Sequence, residues 1–268
     1  MQAAPAPSLP PVSIESAFVA ARVAAVRAED PLSVLARKAP PAAKLAAIGA
    51  LHGSIPTMPQ ARRSVALDAL RVVAASPAEA AAVRGSALSA LGYAIPVVGD
   101  AAARERAART LIAALGTPDR VYALRGMGPA AHDLPEALEA DFQGALLAAL
   151  AGPLTVEERV TALLALDSFT RAREDLPRRK PALCLALEAA LLAPVEAAPA
   201  AFAAARTPEE RSMLLAVVWH DARVRASAGD PSVLSRVNAL FALLTPLETD
   251  PDLRAELGAY LAAPARKP

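Results

Sequence analysis

Proline and glycine divide the chain into a succession of helix-length segments, and this division limits the fold more than any other feature of the sequence. About a quarter of the 268 residues are alanine, and leucine is the next most frequent residue. Alanine has the highest helix propensity and is depleted in strands. No segment shows the sustained apolar–polar alternation of a strand rich in β-branched and aromatic residues. The sequence therefore predicts an all-α protein.

Short signals mark where several of these helices begin. Three predicted starts carry a capping box, in which a Ser or Thr side chain and a Glu three residues later each bond the other's backbone N–H. The three boxes are Ser76 with Glu79, Thr155 with Glu158, and Thr207 with Glu210. The predicted helices span residues 17–29, 41–51, 60–75, 77–91, 100–115, 118–126, 135–150, 157–170, 181–192, 208–225, 231–244 and 251–261.

The composition and charge predict one domain with short tails. Residues 1–13 are rich in Pro and Ala and predict a disordered tail, residues 14–262 predict a single domain, and residues 263–268 predict a flexible C-terminus. The net charge of +1 gives no long-range attraction to nucleic acid or an anionic membrane. No segment has the features of a signal peptide or the ~20 apolar residues of a membrane span. We therefore expect a cytoplasmic protein with no membrane partner, in which Cys184 is a small buried apolar residue.

A short pattern recurs along the chain. It consists of a basic residue followed by Ala at the third position, Leu or Ile at the fourth, a small residue at the sixth and Leu or Met at the seventh. Positions three, four and seven form one helical stripe, and the small residue beside it lets a neighbouring helix approach closely. The first three intervals are 40, 36 and 39 residues, which is typical of two-helix repeats. The basic residues are Lys44, Arg84, Arg120, Arg159 and Arg236, with a looser match at Arg211.

Residues 84–92 (Arg-Gly-Ser-Ala-Leu-Ser-Ala-Leu-Gly) resemble the second helix of a HEAT repeat, and the resemblance covers roughly residues 40–245. It implies a right-handed α-α superhelix, a HEAT-like solenoid of about five to six helix pairs. In such an array a helix pair cannot bury its apolar stripe alone, and stacking the pairs creates a continuous core.

Two intervals depart from a regular array. The interval from Arg159 to Arg211 is 52 residues, so residues 177–205 are expected to hold an extra helix or a divergent repeat. The interval from Arg211 to Arg236 is only 25 residues, which predicts an irregular C-terminal cap. The alternative fold is an irregular helical bundle.

Histidine residues are the first candidates for chemistry. His132 and His220 each precede an aspartate, as in the all-helical metal phosphohydrolases that use such a dipeptide, but no histidine lies in the 87 residues between them. A divalent metal site needs three or four N, O or S ligands. The sequence also contains no phosphate-binding glycine loop and no nucleophile elbow. It therefore predicts no catalytic residue, metal or cofactor, and we expect that the chain is not an enzyme.

Basic and aromatic residues form the candidate interaction surface. The recurrent bases predict a ladder along one face, with the alternative that each base bonds a loop or an acid of the adjacent repeat. Two further candidate edges are the basic run before Pro181 and the helix that carries the only tryptophan, whose ring could also pack in the core. The candidate residues are Arg84, Arg120, Arg159, Arg178, Arg179, Lys180, Trp219, Arg223 and Arg225.

The resemblance implies a binding or scaffolding role for the stacked surface. We expect a non-catalytic protein–protein interaction module whose partner is another protein, held on the surface of the second helices. Scattered aromatics and interleaved acids argue against nucleic acid. The alternative is an enzyme or lyase on the same scaffold, with a small-molecule or nucleic-acid ligand in a concave groove. Self-association of end repeats is a further alternative.

Overall fold

The computed structural model describes residues 30–263, and all regular structure in that range is helical, as the all-α prediction requires. The predicted tail 1–13, the predicted helix 17–29 and residues 264–268 lie outside the described range. The helices are α1 (Pro31–Ala36), α2 (Pro41–Ser54), α3 (Gln60–Ala75), α4 (Ala81–Ala94), α5 (Ala101–Ala114), α6 (Arg120–Ala130), α7 (Glu139–Ala151), α8 (Val156–Arg171), α9 (Leu176–Arg179), α10 (Pro181–Leu187), α11 (Ala193–Ala197), α12 (Pro199–Ala205), α13 (Pro208–Ser227), α14 (Pro231–Leu244) and α15 (Pro251–Ala262).

The helices contact one another in a regular order. Helices α2, α4, α6, α8, α13 and α15 each contact the next member of this series, which we call the second helices. Helices α1, α3, α5, α7 and α10 make the equivalent contacts in a parallel series, the first helices. The two series are joined because α1 packs on α2, α3 on α4, α5 on α6 and α7 on α8. Helix α14 lies between α13 and α15 and contacts both.

The apolar stripe that the sequence pattern predicts is the buried face of the second helices. In α4 the stripe residues Ala87, Leu88 and Leu91 are 0 to 1% exposed. The equivalent residues of α6 and α8 are also buried, and the buried apolar residues form a single cluster from Val34 to Leu257. Full burial of one leucine side chain stabilises a fold by about 1.5–3 kcal/mol. Contact between successive second helices therefore contributes to the stability of this part of the chain.

Glycine allows the closest of these helix contacts. A Cβ atom at Gly92 in α4 would lie 1.9 Å from the carbonyl oxygen of Gly126 in α6. A Cβ atom at Gly126 would lie 2.6 Å from the carbonyl oxygen of Leu88. Both obstacles are backbone atoms, which cannot move without separating the helices. The α4–α6 contact therefore requires glycine at both positions.

Two of the three predicted capping boxes form as expected. Thr155 with Glu158 caps α8, and Thr207 with Glu210 caps α13. The box predicted at Ser76 is wrong, because Ser76 ends α3 and α4 begins only at Ala81. The Glu79 carboxylate, which the predicted box would have bonded to the backbone N–H of Ser76, instead forms an ion pair with Lys44.

Residues 177–205 depart from the regular order, as the long interval in the sequence predicts. Short helices α9 to α12 occupy this stretch, and a π-helical turn, Glu188–Leu192, joins α10 to α11 and packs on α13. Among the described residues no single helix has the length and apolar composition to cross a membrane. One bent pair, Pro181–Ala197 with Pro199–Ala205 at 98°, meets those two criteria only when its parts are combined.

We predict that Gly92→Ala destabilises the protein while Gly49→Ala does not. The new Cβ at position 92 meets backbone, so overpacking should cost about 1–3 kcal/mol or more. Gly49 lies within α2, and no other residue would crowd a Cβ added there, so alanine should stabilise the helix by up to about 1 kcal/mol. Urea unfolding followed by circular dichroism measures both changes. Equal stabilities for the two variants would contradict the close α4–α6 contact.

Candidate functional site

Five of the six recurrent basic residues, all except Arg236, form ion pairs from one second helix to the start of the next one. In four of the five cases the base is the fourth residue of its helix, and Arg120 is the first residue of α6. The acid lies in the first turn of the following second helix or just before it. We call this series the ladder; its pairs are Lys44–Glu79, Arg84–Asp119 (2.7 Å), Arg120–Glu158 (2.6 Å), Arg159–Glu210 and Arg211–Glu248 (2.6 Å).

The ladder arginines also fix the loops that precede their own helices. Arg84 donates to the carbonyl oxygen of Glu79 at 2.6 Å, and Arg159 donates to the carbonyl oxygen of Leu154 at 3.0 Å. Arg211 makes the equivalent bond to a carbonyl five residues upstream. The candidate surface residues Arg84, Arg120 and Arg159 therefore have partners in the neighbouring pair, as the alternative interpretation predicted. Their part in binding another molecule stays a prediction.

Three ladder acids, Glu158, Glu210 and Glu248, also accept a backbone N–H at the start of the following second helix. Glu158 accepts the guanidinium of Arg120 and the backbone N–H of Thr155, and these two bonds hold its pKa below the ordinary value for glutamate. Burial alone would raise the pKa of Glu248, but hydrogen bonds from Arg211 and the backbone N–H of Asp250 lower it overall. The carboxylates of Glu158 and Glu248 are therefore charged at neutral pH. Each charge links the start of one helix to the preceding second helix.

The basic run before Pro181 is mostly turned towards a buried acid. Glu139 is 2% exposed and lies within ion-pair distance of Arg173 (2.8 Å), Arg179 (3.1 Å) and Lys180 (3.0 Å). Burial alone would raise the pKa of Glu139, but the bonds from Arg179 and Lys180 hold it below its usual range. Arg178 is exposed and makes a long contact, 3.5 Å, to the carbonyl oxygen of Ser227. Arg178 is thus the one residue of the predicted run, Arg178 to Lys180, that makes no ion pair with the part of the chain that the structure describes.

Arg225 lies in a buried charge network rather than on an open edge. Its guanidinium contacts Glu188 (2.5 Å), Asp230 (2.7 Å) and, at 4.0 Å, Asp221. Burial raises the pKa of Asp221 to about 7, against the opposing charge of Arg225. Cys184 is buried as predicted, and burial together with the charge of Asp221 raises its pKa to about 12. The thiol is therefore protonated at neutral pH and unreactive as a nucleophile.

The exposed side of the second helices forms a groove. A cavity of about 770 Å³ runs across α4, α6 and α8. Its main lining positions lie five and nine residues after the recurring base of each helix, and also twelve residues after it in α4 and α6, so they repeat like the buried stripe. Tyr93 and Leu164 supply large exposed apolar side chains, at 54% and 48% exposure. The residues at the repeating positions are Ser89, Tyr93 and Pro96 on α4 and its 3₁₀ turn, Arg125, Pro129 and His132 on α6 and its 3₁₀ turn, and Leu164 and Ser168 on α8.

A second, smaller cavity of about 300 Å³ adjoins the same side of α8 and α13. It brings the predicted residues Trp219 and Arg223 together with Arg171 and His220. The guanidinium of Arg223 lies 4.5 Å from the centre of the Trp219 ring. The imidazole Nδ1 of His220 bonds Asp167, which is 4% exposed, and Arg171 pairs with the other oxygen of the same carboxylate at 2.9 Å.

Sequence reasoning missed Asp167 and Arg171, which lie on α8 about 50 residues before His220. The signal that identifies them is the repeat frame. Asp167 and Arg171 lie eight and twelve residues after Arg159, and Trp219 and Arg223 lie eight and twelve residues after Arg211. Equivalent positions of successive second helices therefore meet at this cavity. Within residues 30–263 no group of three or more His, Cys, Asp or Glu is close enough together to hold a metal ion.

The chain was compared with protein-family models, with curated proteins and with solved structures, and none of them matches it.

We predict that breaking the most buried pair of the ladder destabilises the protein strongly. Arg211 and Glu248 are 5% and 4% exposed, so Glu248→Gln leaves a buried guanidinium without its counter-charge and should cost about 3–5 kcal/mol. The control is Asp30→Asn, which removes an exposed pair with Arg62 and should cost less than about 1 kcal/mol. Urea unfolding measures both, and similar costs for the two variants would contradict a structural role for the ladder.

The Arg211–Glu248 pair should also make the free energy of unfolding depend on pH. The folded state lowers the pKa of Glu248, so the stability that this carboxylate contributes is complete above its unfolded pKa of about 4.3 and is lost as the pH falls through the lower folded value. Glu248→Gln should therefore reduce the loss of stability on acidification below about pH 4.5, measured by urea unfolding over a range of pH. An unchanged acid dependence would contradict this assignment.

Proposed function

We propose that the chain is a right-handed HEAT-like α-solenoid of six helix pairs and that it acts as a non-catalytic protein-interaction module. In this proposal a segment of a partner protein lies in the groove across α4, α6 and α8. The observation that carries the proposal is that the positions five and nine residues after the recurring base line one groove in three successive second helices.

The order of helix contacts supports the solenoid. Each second helix contacts its neighbours in the series, and each ladder pair joins one second helix to the next. Interactions between nearest neighbours are characteristic of solenoids, in which each repeat contacts only the adjacent ones. The divergent stretch 177–205 together with α13 takes the place of the fifth pair, and α14 with α15 takes the place of the sixth.

The Arg236 match to the recurring pattern falls outside this arrangement. Arg236 lies on α14, a first helix in the proposed array, and pairs with Glu188 and Glu196 earlier in the chain. The ladder bases pair in the other direction, with acids later in the chain. The short interval between Arg211 and Arg236 is therefore not a repeat length.

The chemistry of the groove supports a protein partner. Tyr93 and Leu164 expose apolar surface on neighbouring helices, and aromatic side chains beside apolar ones are typical centres of protein interfaces. Tyr93 is held in place from one side by His52, whose ring lies 4.7 Å away in an edge-on arrangement. Arg125 borders the groove and pairs with Glu157. An apolar floor with a polar rim accepts an extended or helical peptide with apolar anchors.

We predict that Leu164→Glu weakens partner binding at least about tenfold, because a carboxylate buried in an apolar contact without a partner costs several kcal/mol. The matched control is Val72→Glu, which places the same charge at a 58% exposed apolar position on α3, a first helix. Tagged wild-type and variant chains are cross-linked in the source cells, and the captured proteins are identified by mass spectrometry. Binding of each candidate is then measured with purified protein.

The proposal requires a partner that wild type and Val72→Glu retain and Leu164→Glu loses. A partner that binds Leu164→Glu as tightly as wild type would place the binding surface elsewhere. Turnover of a substrate by the purified chain would contradict the non-catalytic assignment.

A further inference from the structure

The cavity between α8 and α13 contains two arginines, Arg171 and Arg223, whose side chains are held in place by neighbouring residues. It is lined by Arg171, Glu174, Trp219, His220, Arg223 and Val224 and has a volume of about 300 Å³. We propose that this cavity is a binding site for an oxyanion, the carboxylate or phosphate group of a small molecule or of a protein side chain. The proposal rests on the contacts of these residues and does not depend on the proposed partner groove.

Arg223 is positioned by a stack of aromatic rings. Its guanidinium carbon lies 4.5 Å from the centre of the Trp219 ring, and the Tyr260 ring lies 4.6 Å from that ring. Tyr260 is fixed in turn because its hydroxyl donates to Glu256 at 2.6 Å. A guanidinium on a ring face keeps its N–H donors, which lie in the guanidinium plane, for another partner.

Arg171 and His220 are positioned by one buried carboxylate. Asp167 uses one oxygen for Nδ1 of His220 and the other for Nε of Arg171. Within residues 30–263, Nε2 of His220 and the two terminal nitrogens of Arg171 have no hydrogen-bond partner. A carboxylate behind a histidine fixes the orientation of the ring. Asp167 is therefore a positioning residue for the two groups that face the cavity.

The remaining donors suit an oxyanion. Two guanidinium groups supply charge-assisted hydrogen bonds, and arginine binds carboxylate and phosphate through two parallel bonds. The acids near the cavity are Asp167, which contacts Arg171 and His220, and Glu174, which lines the cavity. Removing the negative charge of Glu174 should strengthen anion binding, whereas removal of either arginine should weaken it.

Trp219 is the only tryptophan in the chain, so its fluorescence reports on this cavity directly. The experiment titrates the purified full-length protein with inorganic phosphate, sodium acetate or an acetylated triglutamate peptide, with ionic strength held constant by sodium chloride. The expected result is a saturable change in fluorescence with at least one of these probes. Whether phosphate, acetate or the peptide binds most tightly identifies the phosphoryl group, the small acid or the acidic side chain as the source of the oxyanion.

Variants test whether the response belongs to the proposed residues. Arg223→Gln and Arg171→Gln should each weaken binding about tenfold or more, as loss of a hydrogen bond to a charged group predicts, and Glu174→Gln should tighten it. Arg178→Gln, an exposed arginine outside the cavity, is the matched control and should bind like wild type. Because Arg223→Gln also changes the surroundings of Trp219, the NMR shift of the His220 ring provides a second readout.

Arg171→Gln should fold like wild type, because this side chain is 57% exposed at the end of α8. Its circular dichroism should therefore be unchanged, and a loss of binding by this variant does not reflect misfolding. A response to chloride alone, a response that never saturates, or equal binding by wild type and both arginine variants would each overturn the proposal.

Discussion

Neighbouring second helices in this chain bury their apolar stripes against one another and against their own first helices. Helix α4 contacts α2, α3 and α6, and its residues Ala87, Leu88 and Leu91 are buried; the next second helices show the same relation. Each pair therefore buries part of its apolar surface against its neighbours. The single cluster of buried residues from Val34 to Leu257 is the result, and the glycine contact between α4 and α6 is the place where this packing is tightest.

The ladder is the polar counterpart of this apolar contact. Apolar stripes of alanine and leucine fit together in several registers, because one small residue resembles another. An ion pair such as Arg120–Glu158 favours one register, because Glu158 is also fixed by its bond to the backbone at the start of α8. Leaving one member of a buried pair unpaired is costly. The ladder thus penalises displaced arrangements of neighbouring helices, whatever its net contribution to stability. The same register places equivalent exposed positions of successive second helices next to one another.

Much of the fold follows from local sequence, and most of the candidate site does not. The segments 60–75 and 231–244 were predicted with the bounds that α3 and α14 have, because a proline lies at or within two residues of both ends of each segment. The capping box at Ser76 failed because α4 begins only at Ala81, and Glu79 pairs instead with Lys44, 35 residues away. Trp219 and Arg223 were identified as candidates from their own helix. Asp167, Arg171 and Tyr260 were missed, because only packing of α8 and α15 against α13 brings them to that helix.

Removing the first helix pair tests the central claim most directly. The chain starting at residue 59, without α1 and α2, is compared with the chain starting at residue 30 by circular dichroism and urea unfolding. If each pair depends only on its neighbours, the shorter chain keeps the same helicity per residue and unfolds cooperatively, with a lower midpoint and a smaller dependence on urea. If the shorter chain instead loses its cooperative transition and most of its helicity, the helices share one centre and the account of stacked pairs is wrong.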